Sequence, residues 1–585
     1  MRPHLPLPTP GPTAGLHARR PARSSLRSLS AAASAVASAL LLASCMSGGA
    51  ADSPGAGGDG DGGGGVGFGG AQDIGEFRGI LERGELPGPG TLDANGFFNE
   101  HFAPPPAVAC SGTLCITPGL SVGRGWLDDT HQTTVQVALT TNVDPADYTR
   151  LPMRLVVVVD HSGSMSSDGR LEKVKVGLGT LIDNLKDEDR LALISFDDTV
   201  TVDAPFAPAL DRAALKAAVA KLQPRGSTNI FDGLKAGLDL LGDAPPSDRQ
   251  NRVIFLSDGL ATAGDTSTAS IIAMATSRIS RGIGLTTIGV GNEFDAPLMR
   301  GLAERGAGNF YYLEDATAAG EVFHDELDYF MSPLALELEL AATTPAEWAM
   351  NGAVGSSLWR QLSSGSAAIA MPAVFLASRT GQAPDPGGGR RGGGSTIFVD
   401  MSALGSRPGR VVDLRLSYRR PGSAERITTT ATIDYDQDPR ATPESPYLSY
   451  DGMAERYAMY NMYLGLHAAT EYASFGSYDC AVAALSATRR HGKAWLAEHE
   501  ADQDLTADLA LVDRFLANLA ERGASVDRGL AGCPSVQPGE PPIWGDDEID
   551  GHVHPLACSA GGNGSGWLAI AGVVLFAARR RRARR

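Results

Sequence analysis

Five consecutive apolar residues, Leu155 to Val159, run straight into Asp160-His161-Ser162-Gly163-Ser164-Met165. A run with no polar interruption does not fit a strand with one face in water. It predicts a strand buried on both faces, as in a parallel sheet covered by helices. That requirement narrows the architecture to α/β layering, because helices on both sides are what bury such a strand. In open α/β sheets, ligands sit in the crevice beyond the carboxyl ends of the strands. Asp160, Ser162 and Ser164 alternate in the turn just there, a pattern that aims several oxygens at one point. Hard oxygens suit Mg²⁺, Mn²⁺ or Ca²⁺ rather than zinc.

Two later stretches add oxygens to the same frame. Gly226-Ser227-Thr228-Asn229 is a polar loop with a further hydroxyl, and Asn251 to Ser257 reads as a second strand ending in Asp258-Gly259. Around them the pattern alternates. Leu171, Val174, Leu178, Leu181 and Leu185 mark one face of a helix, Arg190 to Phe196 a strand, and Asp197-Asp198 the turn beyond it. Helices are expected over Asp211 to Leu222 and Phe231 to Leu241. A strand over Gly284 to Val290, a helix over Ala296 to Glu304, a strand over Asn309 to Leu313 and a last helix over Ala316 to Phe330 follow. This is the order of a doubly wound sheet. Serines and aspartates also cap helices and form turns; what sets these apart is that all three parts share one βα frame.

D-H-S-G-S, the threonine of G-S-T-N and the aspartate of L-S-D-G resemble, in order and spacing, the metal-ion-dependent adhesion site of von Willebrand factor type A domains. The resemblance implies that Ser162, Ser164 and Thr228 are direct ligands and that Asp160 and Asp258 hold ordered waters. His161 departs from the family pattern and reads as a neighbour of the site rather than a ligand.

The net charge of −17 is unevenly spread. The first 44 residues carry five Arg and no acid, and the residues after Cys558 carry six Arg and no acid; setting those eleven charges aside leaves −28 for the middle. So acidic a body argues against nucleic acid as a partner. By the same argument Gly387 to Gly394, G-G-G-R-R-G-G-G, reads as an exposed loop rather than an arginine-rich nucleic-acid arm. Asp434 to Asp438 imitates the start of a calcium loop, but Pro439 stands where glycine is needed.

At the amino end, a basic stretch and a short apolar run closing in Leu42-Ala43-Ser44-Cys45 have the marks of an export signal over residues 1–44. L-A-S-C resembles a bacterial lipobox, which implies lipid attachment at Cys45 and, with Met46 following it, an outer-membrane destination; ordinary cleavage or a retained anchor is the alternative. Residues 45–70 read as the lipobox cysteine and a Gly-rich tether. Residues 71–103 resemble the segment preceding the A domain in a group of bacterial von Willebrand type A lipoproteins, through R-x-x-L-x-x-G-x-L-P and a later N-x-x-F. β-rich segments at 104–149 and 334–440 flank the α/β unit at 150–333, which suggests its insertion into a β-rich domain. A helical region at 441–522, with Leu505, Leu509, Val512, Leu516 and Leu519 on one stripe, and a linker at 523–557 follow.

With Cys45 and Cys558 set aside, Cys110, Cys115, Cys480 and Cys533 form an even set suited to two disulfides in an exported protein. Three connectivities are open, Cys110 to Cys115 with Cys480 to Cys533 being the most local. Residues 558–585 hold Cys558, a twelve-residue apolar run rising about 18 Å, short of the roughly 30 Å of a bilayer core, and an Arg cluster. This tail resembles the myxobacterial sorting tail; a marginal membrane anchor is the alternative.

These features point to an exported, lipid-anchored binding protein of the outer membrane or cell surface. It is expected to use a divalent cation, Mg²⁺ first with Mn²⁺ or Ca²⁺ as alternatives, to bind an acidic group of a protein partner. A structural scaffold of an envelope assembly is the alternative. A metal-assisted hydrolase is disfavoured, since no H-E-x-x-H, G-x-S-x-G or phosphate-binding glycine loop accompanies the oxygens.

Overall fold

The computed structural model describes residues 64–536 apart from 105–109, 145–149, 209, 247, 280–281, 292, 314–321, 324–332, 380–389, 500–501 and 525. The export signal, Cys45, Cys558, the tail and most of the last helix expected in the α/β unit lie outside the described residues.

In chain order, β1 (Gly64–Phe68), β2 (Gly70–Ala71), α1 (Gly75–Glu82) and α2 (Ala94–Asn99) lead into β3 (Cys115–Arg124) and β4 (His131–Thr141). The α/β unit follows, with β5 (Met153–Asp160), α3 (Arg170–Asn184), β6 (Arg190–Phe196), β7 (Val200–Ala204), α4 (Arg212–Ala220) and α5 (Ile230–Leu241). It continues through β8 (Gln250–Ser257), α6 (Thr268–Ile279), β9 (Ile283–Val290), α7 (Ala296–Arg305) and β10 (Asn309–Leu313). Its seven strands lie in the order β2-β10-β9-β8-β5-β6-β7, parallel except for β7. The run Leu155 to Val159 sits at its centre between β6 and β8 and is at most 1% exposed. Leu155, Val157 and Val159 pack on α3 and α4 on one face, and Val156 and Val158 on α5 and α6 on the other. Each face therefore has its own helical cover, which is why the run carries no polar residue.

The second sheet system holds eleven strands. It comprises β1, β3, β4, β11 (Pro333–Thr343), β12 (Trp348–Val354), β13 (Trp359–Ser363), β14 (Ser366–Leu376), β15 (Thr396–Ala403), β16 (Gly409–Arg419), β17 (Arg426–Tyr435) and β18 (Tyr447–Leu448). Strands from before and after the α/β unit thus share one sheet system and one core, with Leu120, Val135 and Val137 packed with Leu338, Leu340 and Leu416. α8 (Met453–Ser474), α9 (Tyr478–Glu498) and α10 (Gln503–Glu521) form the helical region. Phe77, Phe97 and Phe98 of the early segment are buried against it, so residues 71–103 pack with the carboxy-terminal helices.

Two expectations are corrected. The glycine-rich stretch does not stay a tether up to Gly70, because β1 pairs with both β4 and β14, and β2 extends the α/β sheet beside β10. Val66 and Phe68 supply buried side chains there, and sheet hydrogen bonds hold a backbone whose composition alone favours disorder. The arginine-glycine loop is not exposed over Arg390 to Gly394. Arg390 pairs with Asp508 at 2.9 Å and Arg391 with Asp73 at 2.7 Å, and a Cβ at Gly393 would run into the His101 carbonyl. Cys110 is bonded to Cys115 and Cys480 to Cys533. No described helix is long and apolar enough to cross a membrane.

The amino-terminal part of β8 lies against the second sheet system. Arg252, near the start of β8, is 2% exposed, donates to the Ala307 carbonyl at 2.7 Å, and lies 5.4 Å from the Phe375 ring centre on β14. Burial pulls its pKa down to about 10. The Arg150 guanidinium, joined to Asp189 through both terminal nitrogens at 2.9 and 2.7 Å, pins the entry into β5. The carboxyl ends of β5 and β8, at Asp160 and Ser257, carry the loops of the candidate site.

Candidate metal site

Asp160 is the last residue of β5, and Ser257 is the last of β8, one residue before Asp258. The chain leaves β5 through a tight turn in which the Ser162 N–H donates to Asp160 Oδ1 at 2.8 Å, turning Ser162 and Ser164 back across the strand end. Positive φ at Asp168 and Gly169 ends the turn and starts α3. The Thr228 loop is tied to this turn through its backbone. The Arg225 N–H donates to the His161 carbonyl at 2.8 Å, and the Gly163 N–H to the Gly226 carbonyl at 3.1 Å. Gly226 has a φ of +66° and a side chain there would strike the Asp198 carboxylate, so glycine is required by both backbone and space. Asn229 then caps α5, its side chain accepting from the Asp232 N–H. On the other side, the Thr262 N–H donates to the Thr228 carbonyl at 2.9 Å, bringing in the loop after β8.

These links gather the five oxygen-bearing residues. Ser162 Oγ lies 3.0 Å from Ser164 Oγ, Ser164 Oγ donates to Asp258 Oδ1 at 2.8 Å, and Ser257 Oγ donates to Asp160 Oδ2 at 2.6 Å. A Cβ placed on Gly259 would lie 3.6 Å from Thr228 Oγ1 and 3.8 Å from Ser164 Oγ, so the glycine keeps the space between these hydroxyls open. Asp160 and Asp258 are fully buried. Burial raises the Asp160 pKa to about 6; hydrogen bonds from Ser257 and Ser162 pull against the rise and the neighbouring Asp258 charge adds to it. Two buried carboxylates with hydroxyls around them fit a hard divalent cation, which would relieve that repulsion. The donor set contains only two acids, and among the described residues no group of three or more His, Cys, Asp or Glu side chains is placed to hold a metal.

His161 is turned away from the oxygens: its Nδ1–H donates to the Gln223 carbonyl at 2.8 Å, and its Nε2 lies 4.0 Å from Asp197 Oδ2. Three contributors carried no separate signal in the sequence. Ser257 holds Asp160, Asp197 anchors Arg225 at 2.7 Å, and Arg170, at the start of α3, donates to Asp258 Oδ2 at 2.9 Å. A single hydroxyl or guanidinium near a strand end is too common to stand out until its partner, 97, 28 or 88 residues away, is placed beside it.

Comparison with known proteins gives the frame a name. The von Willebrand factor type A domain family matches residues 155–325. This chain carries a von Willebrand factor type A domain. Around that domain it is 31% identical over 195 residues to an uncharacterised protein of Synechocystis sp., covering 33% of this chain and 45% of that protein. It is 27% identical over 195 residues to the uncharacterised protein YfbK of Escherichia coli, covering 33% and 34%. With the inter-alpha-trypsin inhibitor heavy chain H2 of Mus musculus it shares 26% identity over 201 residues, 32% of this chain and 20% of that one. The chain thus spans less than half the length of these relatives. Among solved structures, the von Willebrand factor type A protein from Catenulispora acidiphila aligns with a TM-score of 0.44 and 15% identity over 66% of this chain and 87% of that one. Proximal thread matrix protein 1 from the mussel byssus, with a zinc-occupied MIDAS motif, aligns with a TM-score of 0.27 and 17% identity over 31% and 49%. Von Willebrand type A domains often serve metal-dependent adhesion or protein interaction.

Proposed function

We propose that this protein is an exported, lipid-anchored binding protein whose von Willebrand type A domain captures an acidic group of a protein partner through a divalent cation, Mg²⁺ in the first place. The observation that carries the reading is that Ser162 Oγ, Ser164 Oγ and Asp258 Oδ1 stand in one hydrogen-bonded row, with Thr228 Oγ1 and Ser164 Oγ across the space in front of Gly259 and Asp160 at the strand end behind Ser162. Three hydroxyls and two carboxylates suit a cation that prefers six oxygens and leave room for an oxygen from outside. A cation bound there would supply an electrophilic centre for a carboxylate. The protein's own part is to hold the donors rigid, through the backbone links between the loops, and to keep the point accessible. His161, whose Nδ1–H is committed to the Gln223 carbonyl, is not aimed at the donors as a general base, which supports binding rather than catalysis.

The test is capture of partners from envelope extract by the full chain, in Mg²⁺ and in chelator. Wild type should retain a partner in Mg²⁺ and release it in chelator, and Asp160→Ala should fail to capture it in either. Thr228→Ala should weaken capture by removing a hydroxyl, whereas His161→Ala should leave it nearly unchanged. The same partner held equally in chelator and by Asp160→Ala would move the adhesive surface elsewhere and favour a scaffold role.

A further inference from the structure

The site has one feature that a set of two acids and three hydroxyls does not need. Arg170 is 4% exposed, and its Nη1 donates to Asp258 Oδ2 at 2.9 Å while Ser164 Oγ donates to Oδ1 of the same carboxylate at 2.8 Å. One oxygen of Asp258 thus faces the hydroxyls and the other is held by a guanidinium. Space for that guanidinium comes from Gly291, at φ +72°, where any Cβ would run into it. On its outer side Arg170 meets Glu293 at 3.4 Å, whose side chain is 74% exposed. A buried arginine held between a site carboxylate and a solvent-facing one is a fixed positive charge at the wall of the site.

We infer that Arg170 is a positioning residue that makes the site selective for an anionic ligand at the expense of cation affinity. The inference rests on the cation reading above. Two carboxylates against a divalent ion leave no net charge, and a neutral oxygen ligand would then serve as well as a charged one. With a guanidinium bound to Asp258, one positive charge is left over among the buried groups; Glu293, with a side chain 74% exposed, offsets it only through solvent, and a carboxylate from the partner balances it at the site itself. The same guanidinium repels the cation, so the donors hold it less tightly than they would without Arg170. Its contact with Asp258 also fixes which carboxylate oxygen faces the hydroxyls.

The experiment uses Mn²⁺ alone as the probe, titrated into the full chain by calorimetry, in chloride and in acetate at equal ionic strength. Because linkage is reciprocal, the factor by which acetate tightens Mn²⁺ is the factor by which Mn²⁺ tightens acetate. Wild type should bind Mn²⁺ and gain affinity in acetate. Arg170→Gln should bind Mn²⁺ about threefold or more tightly in chloride, as expected for removal of a charge a few ångströms away, and should lose most of the acetate gain. Arg170→Lys, which keeps the charge, should stay near wild type. Gly291→Ala, which displaces the guanidinium without removing it, should shift in the direction of Arg170→Gln and carries the test if that variant does not fold. If wild type binds Mn²⁺ but gains nothing in acetate, or if Arg170→Gln and Gly291→Ala bind it no more tightly than wild type, the role of Arg170 is overturned and the cation site stands. Absence of Mn²⁺ binding by wild type would overturn both.

Discussion

Two buried groups of charged side chains in this molecule are built on opposite plans. Beneath the arginine-glycine loop, Glu100, Asp504 and Asp508 face Arg78, Arg379, Arg390 and His101. Arg78 meets Glu100 at 2.6 Å, Arg379 meets Asp504 at 3.0 Å, and Arg390 meets Asp508 at 2.9 Å. His101 offers Nδ1 to the Phe97 carbonyl at 2.6 Å and Nε2 to Asp508 at 2.7 Å, and two acceptors on one ring call for the doubly protonated form. At the strand ends of the von Willebrand type A sheet, Asp160 and Asp258 face hydroxyls and a single guanidinium. In the first cluster every acid is paired with a cation, and the pairs join α10 to segments more than a hundred residues away. The second keeps acceptors in excess. A closed set of charges reads as a clasp, and a set with excess acceptors reads as a place for something else to bind.

The largest effect expected from breaking this contrast is on stability. Asp508→Ala leaves Arg390 and His101 buried beside an empty position and should lower unfolding free energy by about 3–5 kcal/mol in urea titrations. A loss under about 1 kcal/mol would mean that the clasp is not a coupled unit. Its pH dependence is the next test. Burial pushes Glu100 and Asp508 up, but the cations around them, Arg78 and Arg390 for Glu100 and His101 and Arg390 for Asp508, hold both below their ordinary values of 4.5 and 3.8. Burial pulls His101 down, and Asp508 outweighs it and raises the ring above its ordinary 6.5. The stability from the two acids is complete above their ordinary values and lost as pH falls through the lowered ones. That from His101 is complete below 6.5 and lost as pH rises through its raised value. The gap in stability between wild type and Asp508→Ala should therefore be widest between pH 4.5 and 6.5 and narrow on both sides; a gap independent of pH would dissolve the clasp account. The smallest change in stability belongs to the site: Asp160→Asn, which keeps the size and the acceptor for the Ser162 N–H while its amide nitrogen donates to a turned Ser257 hydroxyl, should alter unfolding free energy by no more than about 1 kcal/mol.

The parts visible in the sequence were those whose signals are local. An uninterrupted apolar run means two covered faces, and D-x-S-x-S, G-S-T-N and S-D-G each carry their oxygens within five residues, so the central strands, and the five oxygen-bearing residues that lie at the ends of β5 and β8 and in the loop beside them, were legible from the sequence. The parts that were not visible depend on partners far along the chain. Gly64 to Phe68 has the composition of a tether, and only pairing with Thr140 to Thr141 and Val374 to Leu376 makes it a strand. Arg390 and Arg391 look solvated until Asp508 and Asp73, each more than a hundred residues away, are brought against them. Arg170 is an ordinary first residue of a helix until Asp258 is placed beside it. Edge strand β7 alternates apolar and polar residues over only five positions, too few to stand out, and is fixed by pairing with β6, while α6 is fixed by packing its Ile271, Ile272 and Ala275 on the sheet.

The contrast between the two clusters is tested most directly by counting ions. Mn²⁺ titrated into the full chain by calorimetry should bind once per chain in wild type, not at all in Asp160→Ala, and with wild-type stoichiometry in Arg390→Gln, which removes the partner of Asp508 in the clasp and does not touch the ends of β5 and β8. No binding by wild type, or equal binding by wild type and Asp160→Ala, would contradict the account.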